Sequence, residues 1–239
     1  TKDLLKRAEA AHCPVLVILA DVPSFGYRPR DIRNGLSMPP KMTVSNILSA
    51  MKRPHWALNT LINGQPSFEI LKPYMQKNLN LNQLAKFMDA TFSGRLNEDK
   101  IKRIRDLWKG KLVLKGAESI HDVEKAYQLG LDGVIISNHG GRQVDVGQAT
   151  IESLNTIVPL YKDKIKVMMD SGIRGGADVA RVMASGADFS FMGRTFMYGV
   201  SALGKKGGNH TIAMLKTQLT QVMEQMSCAE VNDLTKNLI

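Results

Sequence analysis

Between Ser137 and Asp145 the chain reads Ser-Asn-His-Gly-Gly-Arg-Gln-Val-Asp, a close grouping of side chains that can do chemistry. It follows an apolar run, Gly133-Val134-Ile135-Ile136, whose pattern predicts a buried strand. His139, Arg142 and Asp145 therefore stand just past the C-terminal end of a strand, among glycines that permit close approach to the backbone. A proton-transferring imidazole beside a permanently charged, fork-shaped guanidinium is equipment for chemistry on a small carboxylate.

A second grouping is suited to phosphate. Asp170-Ser171-Gly172-Ile173-Arg174-Gly175-Gly176 joins a strand to a helix. Its small residues let backbone amides at the helix N-terminus meet an anion, and Arg174 can add a charge-assisted bond. Met192-Gly193-Arg194 closes the next strand with another amide and another arginine. Either segment alone could be a tight turn with a surface arginine. Two of them, one βα unit apart, point to a phosphorylated cofactor.

Single residues at other strand ends stay open to two readings. Lys115 ends an apolar strand, where its ammonium either reaches solvent or faces an anion. Asp21 ends another. It either caps the following loop or pairs with a histidine, where it would stabilise the imidazolium that a proton-accepting histidine becomes. No spacing of His or Cys suits a metal, and none is expected. His121 and His210 are expected at exposed helix ends, and Cys13 as an inert core thiol.

These residues need strands and helices to position them. Strands are predicted at 15–20, 112–115, 134–137, 165–170 and 189–192. Helices are predicted at 4–12, 44–51, 81–88, 98–108, 119–129, 151–158, 177–184 and 210–226. The helix at 98–108 should turn Ile101, Ile104, Leu107 and Trp108 inward, and the last helix Ile212, Leu215, Leu219, Val222 and Met226. Strands alternating with helices predict βαβ units and a parallel sheet. Five strand ends in succession carry polar or glycine-rich chemistry, the pattern of a (β/α)8 barrel. Five strands are too few to close one, so the fold is either part of a barrel or an open sheet.

Length and composition are consistent with this. The 239 residues suffice for one large domain, taken as 1–239 with a long insertion at about 24–96. Apolar runs such as Val15–Ala20 are too short to cross a bilayer, and no leader is evident at the start. Two cysteines make neither a disulfide framework nor a metal site, which favours a cytosolic or cytosol-facing location. The formal charge of +10 is scattered apart from a denser stretch at Lys100–Lys111. Aromatic residues are not interleaved there, so nucleic acid is not an expected partner.

The segments Ser137–Gln143, Leu112–Gly116 (Leu-Val-Leu-Lys-Gly), Asp170–Gly176 and Met192–Arg194 together resemble the FMN-dependent α-hydroxy acid dehydrogenases and oxidases. Arg53–Asn59 and Thr195–Gly199 look most like the respiratory lactate dehydrogenase branch. The resemblance implies a (β/α)8 barrel of which strands four to eight lie in this chain, with three strands and two active-site tyrosines ahead of them. It implies oxidation of an L-2-hydroxy acid of the lactate class to the 2-keto acid. His139 would be the base, Asp21 its partner and Arg142 the grip on the substrate carboxylate, with Arg28 a further arginine nearby. Lys115 would face the flavin, and Ser137 and His139 would border it. Asp170, Ser171, Gly172, Arg174, Gly193 and Arg194 would hold the ribityl and phosphate groups of FMN. Leu19 departs from a common threonine and Ser171 from a common glycine.

The resemblance further implies an electron acceptor (quinone, cytochrome or oxygen) and a homo-oligomer. In respiratory members the loop matching the insertion meets the membrane. Here it carries Lys41, Lys52, Arg53, His55, Trp56 and Leu58, a basic–aromatic mix suited to the inner face of a cell membrane or to ordinary packing over the barrel mouth. Two readings compete with the oxidation. One is an FMN-dependent isomerase with similar phosphate loops, against which His139 and Arg142 argue. The other is an inactive or weakly flavin-binding interaction module, which the absent strands favour.

Overall fold

A computed structural model of the chain describes residues 2–23, 29–35, 43–64, 69–75, 83, 87 and 95–237. In chain order the elements are α1 (Lys2–Ala10), β1 (Val15–Leu19), α2 (Pro29–Arg33), α3 (Val44–Met51), α4 (Pro54–Asn63), α5 (Glu98–Leu107), β2 (Lys111–Ala117), α6 (Ile120–Gln128), β3 (Gly133–Ile136), α7 (Thr150–Tyr161), β4 (Lys166–Met169), α8 (Gly176–Ala184), β5 (Phe189–Ser190), α9 (Arg194–Leu203) and α10 (Gly207–Gln225). Short 3-10 turns occupy Lys72–Tyr74, Gly204–Lys206 and Val231–Asn237. The chain divides into two compact units, Thr1–Val22 with Arg95–Ile239, and Pro23–Gly94.

The first unit is built on five parallel strands in the order β1-β2-β3-β4-β5. Each strand pairs with its successor in sequence: Leu16 with Leu112, Leu114 with Val134, Ile135 with Met168, Met169 with Ser190. A doubly wound sheet would reverse direction at a switch point. This sheet does not, so it is an arc of a (β/α)8 barrel rather than an open doubly wound sheet. Every strand end therefore opens on the same side.

The strands are apolar because both sheet faces of the central ones are covered. Val134, Ile136, Leu112 and Val167 are fully buried, with Leu154 and Ile157 of α7 and Val123 of α6 packed in the same cluster. Helix starts follow from local chemistry. Asn97 accepts a bond from the Lys100 amide, and Ser119 forms a reciprocal capping box with Asp122. A second cluster joins Ala180 and Ala184 of α8 to Cys228 and Leu234, flanked by Leu219, Val222 and Met223 of α10.

Several expectations need correction. Cys13 is exposed, because it lies in the turn leaving α1, not in the strand. Leu107 and Ile212 are exposed, so the inward stripes of α5 and α10 are narrower than the periodicity suggested. Trp108 is fully buried beyond the end of α5, where its indole N–H donates to the Lys111 carbonyl at 2.9 Å. Helix α7 runs through Pro159 to Tyr161, and β5 is only two residues long. Arg194 is not a strand end but the first residue of α9, an element absent from the sequence expectation, as is α4. The helix expected at 81–88 lies largely outside the described residues.

Candidate active site

The sequence-predicted residues converge at the C-terminal ends of the strands. His139 follows β3, and Asp21 follows β1 two strands away. The His139 ring Nδ1 lies 3.0 Å from Oδ2 of Asp21. His139 has φ 54°, a left-handed conformation that costs a non-glycine residue about 1 kcal/mol. The Ser137 hydroxyl accepts from its amide at 3.1 Å and helps hold that turn. The ring is one-third exposed and Asp21 is nearly covered. Such an arrangement fixes the imidazole through Nδ1 and leaves Nε2 to face an incoming group.

Lys115 faces carboxylates of its own chain rather than open solvent. It is mostly covered, and its ammonium lies 2.7 Å from Oδ2 of Asp170, 2.6 Å from the Ser137 hydroxyl and 3.9 Å from Oδ2 of Asp21. It thus bridges the carboxylates after β1 and β4. A glycine places it. The β2–β3 register slips between Lys115 and Ala117, and the extra residue, Gly116, has φ 96°. A Cβ there would come within 2.5 Å of the Asp21 Cβ, so only glycine lets Asp21 lie against the strand.

The β4 end is tied into the same network. Ser171 donates to Oδ1 of Asp170 at 2.7 Å and accepts from the Gly140 amide at 3.0 Å. Thr150, opening α7, donates to the Asp170 carbonyl at 3.0 Å. On the other flank Arg194 donates to the Gly140 carbonyl at 2.7 Å. Together these loops line an open cleft of about 430 Å³ whose walls include Asn138, Gly140, Ser171, Gly172, Arg181 and Arg194.

The cleft fits a phosphate in its donors and in its space. Cβ atoms added at Gly172 or Gly193 would meet nothing within 4 Å, so backbone there is open to a ligand. Helix α9 has Gly193 at its N-cap position and no side-chain cap, leaving its positive end to an anion. The α8 terminus differs from expectation. The Arg174 and Gly175 amides donate to Oδ2 of Asp178 at 3.0 and 3.1 Å, and the Gly176 amide to Gln218 at 2.9 Å. Arg174 and Arg194 also face different hollows, since Arg174 lines a second one of about 450 Å³ with Tyr198 and His210.

Arg142 lies three residues past His139, exposed and without an ion pair among the described residues. Arg28 lies outside the described residues. Sequence reading missed Gly116, Thr150, Arg181 and Glu118. Gly116 stood inside a quoted motif, and its role depends on a contact with Asp21 that only the fold creates.

Comparison with known proteins accords with this geometry. The chain matches the family described as FMN-dependent dehydrogenase over residues 1–239. It is 35% identical over 235 residues to an L-lactate dehydrogenase of Bartonella quintana (strain Toulouse), covering 98% of this chain and 61% of that protein. It is 34% identical over 239 residues to an L-lactate dehydrogenase of Actinobacillus pleuropneumoniae serotype 5b (strain L20), covering 100% of this chain and 62% of that one. Among solved structures, a monotopic membrane protein, (S)-mandelate dehydrogenase, superposes with a TM-score of 0.90 at 30% identity, covering 98% of this chain and 61% of that one. The chain thus spans about three fifths of the length of the relatives it matches. Over its whole extent it belongs to the family of FMN-dependent dehydrogenases.

Proposed function

We propose that the protein oxidises an L-2-hydroxy acid of the lactate class to the 2-keto acid. The observation that carries this reading is the His139–Asp21 pair at 3.0 Å beside the Lys115–Asp170 bridge. Oxidation removes two electrons and two protons, one from the hydroxyl and one from the α-carbon. His139 Nε2 takes a proton from the substrate, and Asp21 stabilises the imidazolium so formed. Arg142 grips the substrate carboxylate, where a planar fork matches two oxygens at once. Arg28 assists it.

FMN, when bound, supplies the two-electron acceptor. Lys115 offers a fixed positive charge to its ring, with Ser137 and His139 bordering it. Asp170 and Ser171 meet its ribityl chain. Gly172, Gly193 and Arg194 hold its phosphate, a role that the open space beside both glycines supports, while Arg174, which lines the second hollow, would have to swing across to join them. A quinone, a cytochrome or oxygen would be the final electron acceptor.

The unit Pro23–Gly94 supports a peripheral membrane contact on the inner face of the cell membrane. Helices α3 and α4 expose Val44, Leu48, Met51, Trp56, Leu61 and Ile62, with Lys52 and Arg53 at their junction. An apolar surface with adjoining cations suits an anionic bilayer interface. No helix among the described residues is long and apolar enough to cross a membrane.

The test is flavin absorbance of the full-length protein during addition of L-lactate. Bleaching of the visible band, with its loss in His139→Gln while flavin stays bound, is the expected result. Bleaching that survives in His139→Gln removes His139 as the base. A flavin that never bleaches with any 2-hydroxy acid overturns the reaction class. Sedimentation with anionic vesicles, sensitive to salt and to Trp56→Ala, tests the membrane contact.

A further inference from the structure

Among the described residues two side-chain oxygens are buried without a hydrogen-bond partner: Oδ1 of Asp21 and Oε1 of Glu118. A buried acceptor with no donor costs on the order of 1–3 kcal/mol, so two of them together call for an explanation. Both belong to one neighbourhood. Asp21 lies against Gly116, the bulged residue of β2, and Glu118 follows two positions later. Burial, then the charge of Asp21, then that of Asp122 push the Glu118 carboxyl above the usual range.

The charges around Glu118 are one-sided. Asp21 acts on it from the end of β1 and Asp122 from the first turn of α6. Lys115 of β2 lies three positions before Glu118 in the chain, and its ammonium is engaged by Asp170 at 2.7 Å and Ser137 at 2.6 Å, standing 3.9 Å from Asp21. Asp122 is itself committed to the Ser119 amide and hydroxyl at 3.2 and 2.8 Å. A carboxyl in this setting keeps its proton to higher pH than a solvated one.

We propose that Glu118 is a positioning residue that sets, through Asp21, how readily His139 holds a proton. While Glu118 is uncharged, Asp21 is the carboxylate that His139 faces, and the imidazole is free to act as a base. Once Glu118 ionises, a second negative charge stands behind Asp21 and favours the imidazolium, which cannot accept a proton. The catalytic meaning of this coupling rests on His139 being the base. The coupling itself does not.

The test is an NMR titration of the His139 ring in the intact, flavin-free protein, its resonance assigned by its absence in His139→Gln. In Glu118→Gln the midpoint of that titration shifts to lower pH than in the parent. A midpoint that stays in place or rises overturns the proposal. The Glu118 carboxyl ¹³C resonance of the parent protein provides a second reading that needs no substitution. It titrates above the usual carboxylate range, and ionisation within that range overturns the proposal even where Glu118→Gln fails to fold. Neither measurement uses turnover, so failure of hydroxy-acid oxidation and failure of this coupling are distinguishable.

Discussion

Asp21 and His139 are separated by 118 positions in the chain, yet Oδ2 and Nδ1 meet at 3.0 Å. The parallel pairing of β1 with β2 and of β2 with β3 puts both residues at the same end of the sheet. Asp21→Asn keeps the shape of the carboxylate and removes its charge. The imidazolium formed on proton uptake then lacks its counter-charge, and general-base catalysis of this kind is worth roughly 10²–10⁴-fold. The expected outcome is a fall of ~10²-fold or more in the rate of flavin reduction by L-lactate in stopped flow. Flavin affinity should be unchanged. A rate within a few-fold of the parent would remove Asp21 from the chemistry.

Arg142 is exposed at the rim, three residues past His139. A guanidinium that grips a carboxylate through two parallel bonds is not replaced by a single ammonium. Arg142→Lys should therefore raise KM and lower kcat, by about 10²-fold or more in kcat/KM. Steady-state kinetics over a range of lactate concentrations reads both. Unchanged constants would place the substrate carboxylate elsewhere.

Gly140 is where the His139 turn meets the side of the cleft lined by Gly172 and Arg194. Its φ is 70°, and an added Cβ would lie 2.4 Å from Arg194 Nη2. Gly140→Ala must push Arg194 from its bond to the Gly140 carbonyl, or strain the turn, or both. Since Arg194 is proposed to hold the FMN phosphate, flavin affinity should weaken by roughly tenfold, the worth of about one hydrogen bond. Titration of apoprotein with FMN, followed by flavin fluorescence, measures this. Equal affinity would show that Arg194 acts apart from the phosphate.

Local pattern and long-range contact divide what could be read from sequence. The five strands were legible because each is a short apolar run closed by a polar or glycine-rich end, which burial on both faces demands. His139, Asp21, Lys115 and Asp170 were legible as strand ends, since the end of a strand is a local property. Their mutual bonds were not, because Lys115 bridging Asp170 and Ser137 depends on register between strands. Gly116 illustrates the limit: its bulge exists to admit Asp21, a residue 95 positions earlier by numbering. The strand expected at 189–192 pairs with β4 only at Phe189 and Ser190, and helix α9 begins past it, at Arg194, where no helix was expected. Arg194 consequently moved from a strand end to a helix N-terminus, where its neighbouring amides are better placed for an anion.

Asp132 gives a prediction on stability that is independent of the site. It sits between α6 and β3 and accepts from Lys111 at 2.7 Å, Arg105 at 3.0 Å and the Leu112 amide at 2.9 Å. Burial raises its carboxyl, but the bonds from Lys111, the Leu112 amide and Arg105, with the charge of Lys111, outweigh it and hold the group below its ordinary 3.8. A carboxyl lowered on folding contributes stability that is fully present above its unfolded value and is lost as pH falls through its folded value. The acid limb of stability due to Asp132 therefore lies below about pH 4. Asp132→Asn leaves Arg105 and Lys111 without their carboxylate, at a cost of about 1–3 kcal/mol near neutrality. Urea unfolding at neutral and at acid pH should show the two proteins differing most near neutrality and converging in acid. Curves that stay parallel across this range would show that Asp132 is ionised equally in the folded and unfolded chain.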